Sequence, residues 1–272
     1  MSSKSLPRLL RRLLLGAGAT YLLLVVAITL GQRALLYPRP PFAGLPVEGS
    51  LWYADFPGGR VPVWLRRNPA EPDAPLVVWM HGNAEQLASA SWVVDEFLDR
   101  GLSFAALEYP GYGAATGVGP TEETLFAAVR ASLATLTPTG LPVVCVGASL
   151  GTGPAAMLAS EGHCDRLVLA APYTRLPEAA QAVYPFLPGR WLVWDQLATI
   201  ERAPDIRVPT LVVHGEQDRI CPVWMGRAIA NAIPDATLLE VPRGHNDLFD
   251  AAVFDAIAAF ARAGDTQGAL AH

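Results

Sequence analysis

Apolar and polar positions change their rhythm several times along the chain, and each change predicts an element. Residues 13–30 run without a charged side chain. A helix of that length rises far enough to cross the hydrocarbon core of a bilayer with little slack. Residues 34–50 contain Pro38, Pro40, Pro41 and Pro46, a density that predicts a stiff, extended linker. Two short strands follow at 51–56 and 61–66, and the Pro57-Gly58-Gly59 break between them reads as a hairpin. Short strand-type runs then recur at 76–80, 103–107, 143–146, 166–171, 210–214 and 236–241. Helical patterns fall among the later ones at 121–136, 155–160, 223–232 and 247–261.

Such alternation implies an α/β fold in which a mostly parallel sheet carries helices on both faces and presents its functional loops at the C-terminal ends of the strands. The rhythm stops at 172–208, a proline- and aromatic-rich insertion expected to form a small lid. Its Tyr173, Tyr184, Phe186, Trp191 and Trp194 are expected mainly to pack the lid onto the sheet; any that face the cleft would suit acyl chains. The resulting division is a basic segment with a membrane anchor at 1–33, a linker at 34–50, an α/β domain with the lid insertion at 51–265 and a tail at 266–272. No internal repeat is visible.

Charge changes this picture at the N-terminus. The net charge is −5, but residues 1–33 hold Lys4, Arg8, Arg11, Arg12 and Arg33 and no acid, which leaves −10 on the remainder. An acidic domain does not attract nucleic acid. Arginines immediately before an uncharged run favour an anchor over a cytosolic core helix. A cleavable signal peptide is the competing reading, but the run is long and Thr29-Leu30-Gly31 is a poor cleavage site. The positive-inside rule places the N-terminus in the cytoplasm and the domain on the outer side, with Arg33 and Arg39 weakening the asymmetry. The three cysteines, Cys145, Cys164 and Cys221, allow at most one bridge, and Cys145 reads as strand core. No Cys or His pair has the spacing of a zinc site, and neither a metal nor an organic cofactor is expected.

Candidate chemistry collects at the strand ends. Gly147-Ala148-Ser149-Leu150-Gly151 has the G-x-S-x-G form and directly follows an apolar strand. A serine on a strand-to-helix turn takes a strained backbone, and small neighbours let the two elements approach. The Leu150 amide would then point toward charge developing on an attacked carbonyl. Serine needs a base, and the base needs an orienting acid, in the chain order Ser, Asp or Glu, His for this fold. Asp218, in His214-Gly215-Glu216-Gln217-Asp218, and His245, in Arg243-Gly244-His245-Asn246-Asp247, follow successive strands in that order. Rivals carry blander readings. His81 and His214 read as turn residues, Glu216, Glu240 and Asp247 as alternative acids, and Asp247 as the N-terminal cap or first-turn acid of the last helix. Glu108 reads as a turn-supporting carboxylate and Cys221 as a small apolar filler.

Taken with the apolar N-terminal segment, the motifs Leu36-Tyr37-Pro38, His81-Gly82-Asn83-Ala84-Glu85, Glu108-Tyr109-Pro110-Gly111-Tyr112-Gly113, Pro120-Thr121-Glu122-Glu123, Gly147 to Gly153, Tyr184-Pro185-Phe186-Leu187-Pro188, His214 to Asp218 and Gly244-His245-Asn246-Asp247 form an ordered set. Over about residues 35–260 that set resembles the membrane-anchored branch of the α/β-hydrolase superfamily. Similar proteins include protein depalmitoylases, lysophospholipase-like proteins and bacterial hydrolases. The resemblance implies Ser149 as nucleophile, Asp218 as orienting acid, His245 as base, and the amides of Asn83 and Leu150 as oxyanion hole. It departs at Ala114-Ala115-Thr116-Gly117, where similar proteins often have a serine.

The expected activity is hydrolysis of an ester or thioester of an acyl, lipid-like substrate through an acyl-enzyme, with no cofactor. A serine aminopeptidase is the second reading and would need a buried acid for a substrate amine, such as Glu108, Glu178 or Asp195. A membrane-tethered binding protein with a vestigial site is the third. The sequence names neither a protein partner nor an oligomeric state.

Overall fold

A computed structural model describes residues 8–263 of the chain. Lys4 and the tail at 266–272 lie outside the described residues. The first element is a helix, α1 (Arg8–Leu36), which at 1.5 Å per residue is about 43 Å long. Nearly all of its side chains are exposed, and it is long and apolar enough to cross a membrane.

The domain follows with β1 (Ser50–Phe56), β2 (Gly59–Arg66), β3 (Leu76–Met80), α2 (Ser91–Leu98), β4 (Ser103–Leu107), the two-residue β5 (Thr116–Gly117) and α3 (Glu122–Leu136). Next come β6 (Val143–Ala148), α4 (Thr152–Ser160) and β7 (Arg166–Ala170). The insertion holds α5 (Leu176–Val183), α6 (Gly189–Leu192) and α7 (Thr199–Arg202), and β8 (Thr210–Gly215), α8 (Val223–Ala232), β9 (Ala236–Val241) and α9 (Ala251–Arg262) complete the domain. The strand order is β1-β2-β4-β3-β6-β7-β8-β9, with β5 beside β2. The β1–β2 and β2–β4 pairs are antiparallel, and from β4 through β9 every pair is parallel.

Successive residues of the central strands feed two different cores, as the period of two requires. In β3, Leu76, Val78 and Met80 join one apolar cluster with α3, α4 and α8. Val77 and Trp79 join the other, with Val93 and Phe97 of α2 and Phe254 and Ile257 of α9. Burial on both faces explains why these strands read as continuous apolar runs. The helix α2 escaped the sequence reading because it is only eight residues long, too few for a clear period.

One expectation needs correction here. The last helix begins at α9, capped by Asp250, whose side chain accepts from the Val253 amide. Asp247 instead accepts from Gly244. The proline-rich stretch expected as a linker is docked on the domain: α1 runs on to Leu36, Tyr37 is buried, and Gln86 bonds both Pro41 and Ala43 while Trp64 bonds Glu48. Cys145 is strand core, as expected, and is also disulfide-bonded to Cys164, with Cα atoms 5.8 Å apart.

That bridge ties β6, which precedes the Ser149 turn, to the segment entering β7. Its sequence separation is 19, for which chain-entropy reasoning gives about 3 kcal/mol. Cys164→Ser should therefore lower the unfolding free energy of protein purified under oxidising conditions by about that amount, read as a lower denaturant midpoint, and an unchanged midpoint would show the bridge to be neutral.

Candidate active site

The site is built at the end of β6. Ser149 has φ 49°, a left-handed conformation costly for an L-residue. Close packing on both sides holds it there. A Cβ on Gly147 would lie 2.8 Å from Cβ of Ala155, and one on Gly151 would lie 2.7 Å from the Met80 carbonyl carbon. Glycine at both positions thus lets α4 start directly against β3 and β6. The Thr152 hydroxyl donates to the Ser149 carbonyl at 2.7 Å, and the Tyr173 hydroxyl donates to that of Leu150 at 3.1 Å.

Two neighbouring parallel strands deliver the other groups. Asp218 follows β8 and His245 follows β9, and backbone bonds from Glu216 to Val241 and Gln217 to Arg243 hold the two loops together. Nδ1 of His245 lies 2.7 Å from Oδ2 of Asp218, and its Nε2 lies 2.8 Å from Oγ of Ser149. An Nδ1–H donated to the carboxylate leaves Nε2 free to accept the serine proton. The arrangement is Ser149–His245–Asp218, hydrogen-bonded end to end across 96 and 27 residues of sequence.

Asp218 is itself supported. Its Oδ1 accepts from the amides of Ile220 and Cys221, both at 2.8 Å. Burial alone would raise its pKa, but the hydrogen bonds from His214 and His245 and the Cys221 amide outweigh it and hold the carboxyl far below the usual range. His214 is fully buried, with Nε2 2.7 Å from the Cys221 carbonyl and 3.5 Å from Oδ2 of Asp218. It is more than the turn residue its G-preceding position suggested, since it backs the acid's loop. Cys221 is buried, and burial pushes its thiol pKa up, in keeping with an inert filler.

The loop 81–85 lies beside the serine: a Cβ on Gly82 would be 3.7 Å from that of Ser149. Behind it, Nε2 of His81 meets Oε1 of Glu108 at 2.9 Å, and Glu108 also accepts from the amides of Leu87 and Tyr109. Burial disfavours charge on His81, yet Glu108 more than compensates and raises the imidazole's pKa. Tyr109 donates to the His81 carbonyl and Tyr112 to Oδ1 of Asn83, while Asn83 donates through Nδ2 to the Leu36 carbonyl at the end of α1. The turn-supporting role expected of Glu108 is what the geometry places there. The tyrosine supports were missed, because nothing in the local pattern marks a side chain that bonds a loop 28 residues away.

A cavity of about 710 Å³ opens over Ser149 and His245, a volume suited to a small ligand. Asn83 and Leu150 line it, as do Ala179 and Val183 of α5 and, unforeseen, Leu35 and Leu36 of α1. Among the acids considered for a substrate amine, none lines the cavity. Glu108 is turned to His81, Glu178 bonds the Thr174 hydroxyl, and Asp195 bonds Tyr37. Glu85 does line it, but its Oε2 accepts from the Gly82 amide at 3.0 Å. Glu240 pairs with Arg227, so it is no rival to Asp218. Of the lid aromatics only Tyr173 is buried; Tyr184, Phe186, Trp191 and Trp194 are exposed, against the expectation that most pack the lid inward. Among the described residues no cluster of His, Cys, Asp and Glu could hold a metal ion.

No known protein-family profile matches the chain. Over 244 residues it is 32% identical to the uncharacterized protein Rv2307c of Mycobacterium tuberculosis, covering 84% of this chain and 86% of that one. It is 32% identical over 178 residues to the human protein ABHD12B, covering 57% of this chain and 49% of that protein. The alpha/beta hydrolase domain-containing protein aho-3 of Caenorhabditis elegans matches at 31% over 179 residues, covering 63% and 52%. Among solved structures, the Pyrococcus furiosus esterase Pf2001 superposes with a TM-score of 0.68 at 16% identity, covering 82% of this chain and 97% of its own. Est1E of Butyrivibrio proteoclasticus, solved with ferulic acid bound, gives 0.64 at 18%, covering 77% and 97%.

The depressed Asp218 pKa has a consequence for stability. Its carboxylate contributes fully above the ordinary carboxylate value of about 4, and the contribution fades as pH falls from there toward the lower folded-state value. Asp218→Asn should flatten the loss of unfolding free energy below about pH 4, measured by denaturant titration at a series of pH values; parallel curves for parent and variant would contradict the assignment.

Proposed function

The chain belongs to the α/β-hydrolase family, and we propose that it is a membrane-held serine hydrolase of carboxylic esters or thioesters carrying acyl, lipid-like groups. The observation that carries this reading is the Ser149–His245–Asp218 hydrogen-bond chain on a left-handed turn at the mouth of a largely apolar cavity.

In this reading the reaction runs through the three hydrogen-bonded side chains. Oγ of Ser149 forms a bond to the acyl carbon as its proton passes to Nε2 of His245. Asp218 holds the ring in the required tautomer and stabilises the imidazolium. The developing oxyanion is taken by the amides of Asn83 and Leu150, each of which would contribute on the order of 3 kcal/mol. His245 returns the proton to the departing oxygen or sulfur as its bond to the acyl carbon breaks. Water, deprotonated by the same histidine, then splits the acyl-enzyme and releases the acid. Nothing in this sequence of steps draws on a cofactor.

Two features, α1 and the disulfide, support a location at the membrane with the domain outside. The arginines at Arg8, Arg11 and Arg12 precede the uncharged run and favour a cytoplasmic N-terminus. That orientation sets the domain on the outer side, where a Cys145–Cys164 disulfide persists. Small-molecule acyl substrates and the membrane are then the partners.

Ser149→Ala should reduce turnover of nitrophenyl acyl esters by at least about a thousandfold and abolish labelling by a fluorophosphonate probe; turnover at the parent rate would exclude the mechanism. An acyl-length series on the parent should show preference for longer chains, and a preference for the shortest would exclude the lipid-like pocket. Failure of the intact parent to label would favour a binding protein, and selective cleavage of aminoacyl substrates would favour the aminopeptidase.

A further inference from the structure

The lid is fastened to α1, and the fastenings run along the helix into its apolar part. At the upper end Asp195 lies 3.7 Å from the Arg33 guanidinium and accepts from the Tyr37 hydroxyl at 3.0 Å. Four residues below Leu36, Gln32 is buried and used on both sides of its amide. Nε2 donates to the carbonyls of Thr29 and Leu192, and Oε1 accepts from the Trp194 amide at 2.8 Å. Lower still, the Tyr21 hydroxyl donates to the Phe186 carbonyl at 2.7 Å. Tyr21 stands 11 residues before Gln32, about 16 Å along the helix. The tip of the lid is therefore carried well into the level of the uncharged run at 13–30.

Such pairing is what hydrocarbon demands. Irregular backbone at membrane depth needs its polar groups satisfied by protein, and Tyr21 supplies that partner for the lid tip. The outer face of the lid has matching chemistry. From 183 to 194 it carries a single charged residue, Arg190, and its aromatics point outward: Trp191 is 84% exposed, Phe186 66%, Tyr184 52% and Trp194 52%. Four exposed aromatic side chains within 11 residues are a liability on a water-facing lid, whereas Trp and Tyr beside a spanning helix are interface anchors. The cavity over Ser149 is walled by Leu35 and Leu36 from α1 and by Val183 and Tyr184 from the lid. An acyl chain moving up along α1 would meet it without crossing water.

We propose that the lid segment 183–194 and α1 form one membrane-embedded unit, with the lid's aromatic face immersed in the lipid bilayer and the catalytic cavity fed laterally with acyl substrate from it. The immersion rests on α1 being a membrane anchor, and the lateral feeding rests on the hydrolase reading above.

The full chain in phosphatidylcholine vesicles tests both parts. Cys221 is buried and the other two cysteines are bridged, so a fluorophore can be attached at a single introduced thiol: Phe186→Cys or Trp191→Cys, with Leu23→Cys on α1 as the lipid reference and the exposed Asp73→Cys as the water reference. Nitroxide-bearing phosphatidylcholine should quench the probe at 186 and 191 to an extent close to that at 23 and well above that at 73. Quenching at 186 and 191 no greater than at 73 overturns the immersion; quenching at 23 in the same vesicles then shows that the anchor reading survives. For entry, Phe186→Ser/Trp191→Ser should slow hydrolysis of a long-chain ester presented in vesicles by about tenfold, as lost apolar burial in the lipid would, and leave a water-soluble short-chain ester unaffected. Equal losses on both overturn lateral feeding, and absence of ester turnover in the parent overturns it together with the hydrolase reading while the quenching result still decides immersion.

Discussion

The close approach of α4 to the strands beneath it is the constraint on which the site depends. Ser149 holds a left-handed backbone while α4 packs closely because the residues two positions away on each side, Gly147 and Gly151, lack side chains that would push α4 away. With Gly147 against Ala155 and Gly151 against Met80, the turn is pinned between the central strands β3 and β6. The hydroxyl stands clear of the sheet and within reach of a base that arrives from elsewhere.

The parallel sheet brings that base. Because β6, β7, β8 and β9 run the same way, their C-terminal ends share one edge. Asp218 and His245 need only short loops to face Ser149. The loops are not left to drift: backbone bonds link them to each other, and His214 with the Cys221 amide supports the carboxylate from behind. On the opposite side, the buried His81–Glu108 pair and Tyr109 hold the Gly82–Asn83 turn in place. Most of the buried polar groups surrounding the serine are thus partnered, the exceptions near it being Nδ1 of His214 and Nε1 of Trp79, which lines the cavity. A preorganised surround of this kind keeps the reacting groups from having to rearrange as charge develops.

The second organising feature is that the N-terminal helix is part of the domain's architecture rather than a tether attached to it. Leu36 accepts from Asn83, Leu35 and Leu36 close the cavity, and Gln32, Arg33 and Tyr37 fasten the lid. The proline-rich stretch after it is docked on the domain through Gln86 and Trp64. Position of the helix and shape of the cavity are therefore coupled, and the lid inherits its orientation from α1.

By itself the sequence determined the features that are periodic or contiguous. The two-sided burial of the strands, the apolar helix over 13–30, the G-x-S-x-G turn and the order Ser149, Asp218, His245 were legible because each is written within a few neighbouring residues or in the order of elements. Periodicity says which face of an element is apolar; it does not say what that face or a loop beyond it will touch. Partnerships across long separations waited for the sheet order and register: the Cys145–Cys164 bridge, His81 with Glu108, and the seating of the linker. The lid aromatics were misjudged for the same reason. An apolar ring predicts burial in something, and only the tertiary structure showed that, for four of the five, the sheet is not what they face.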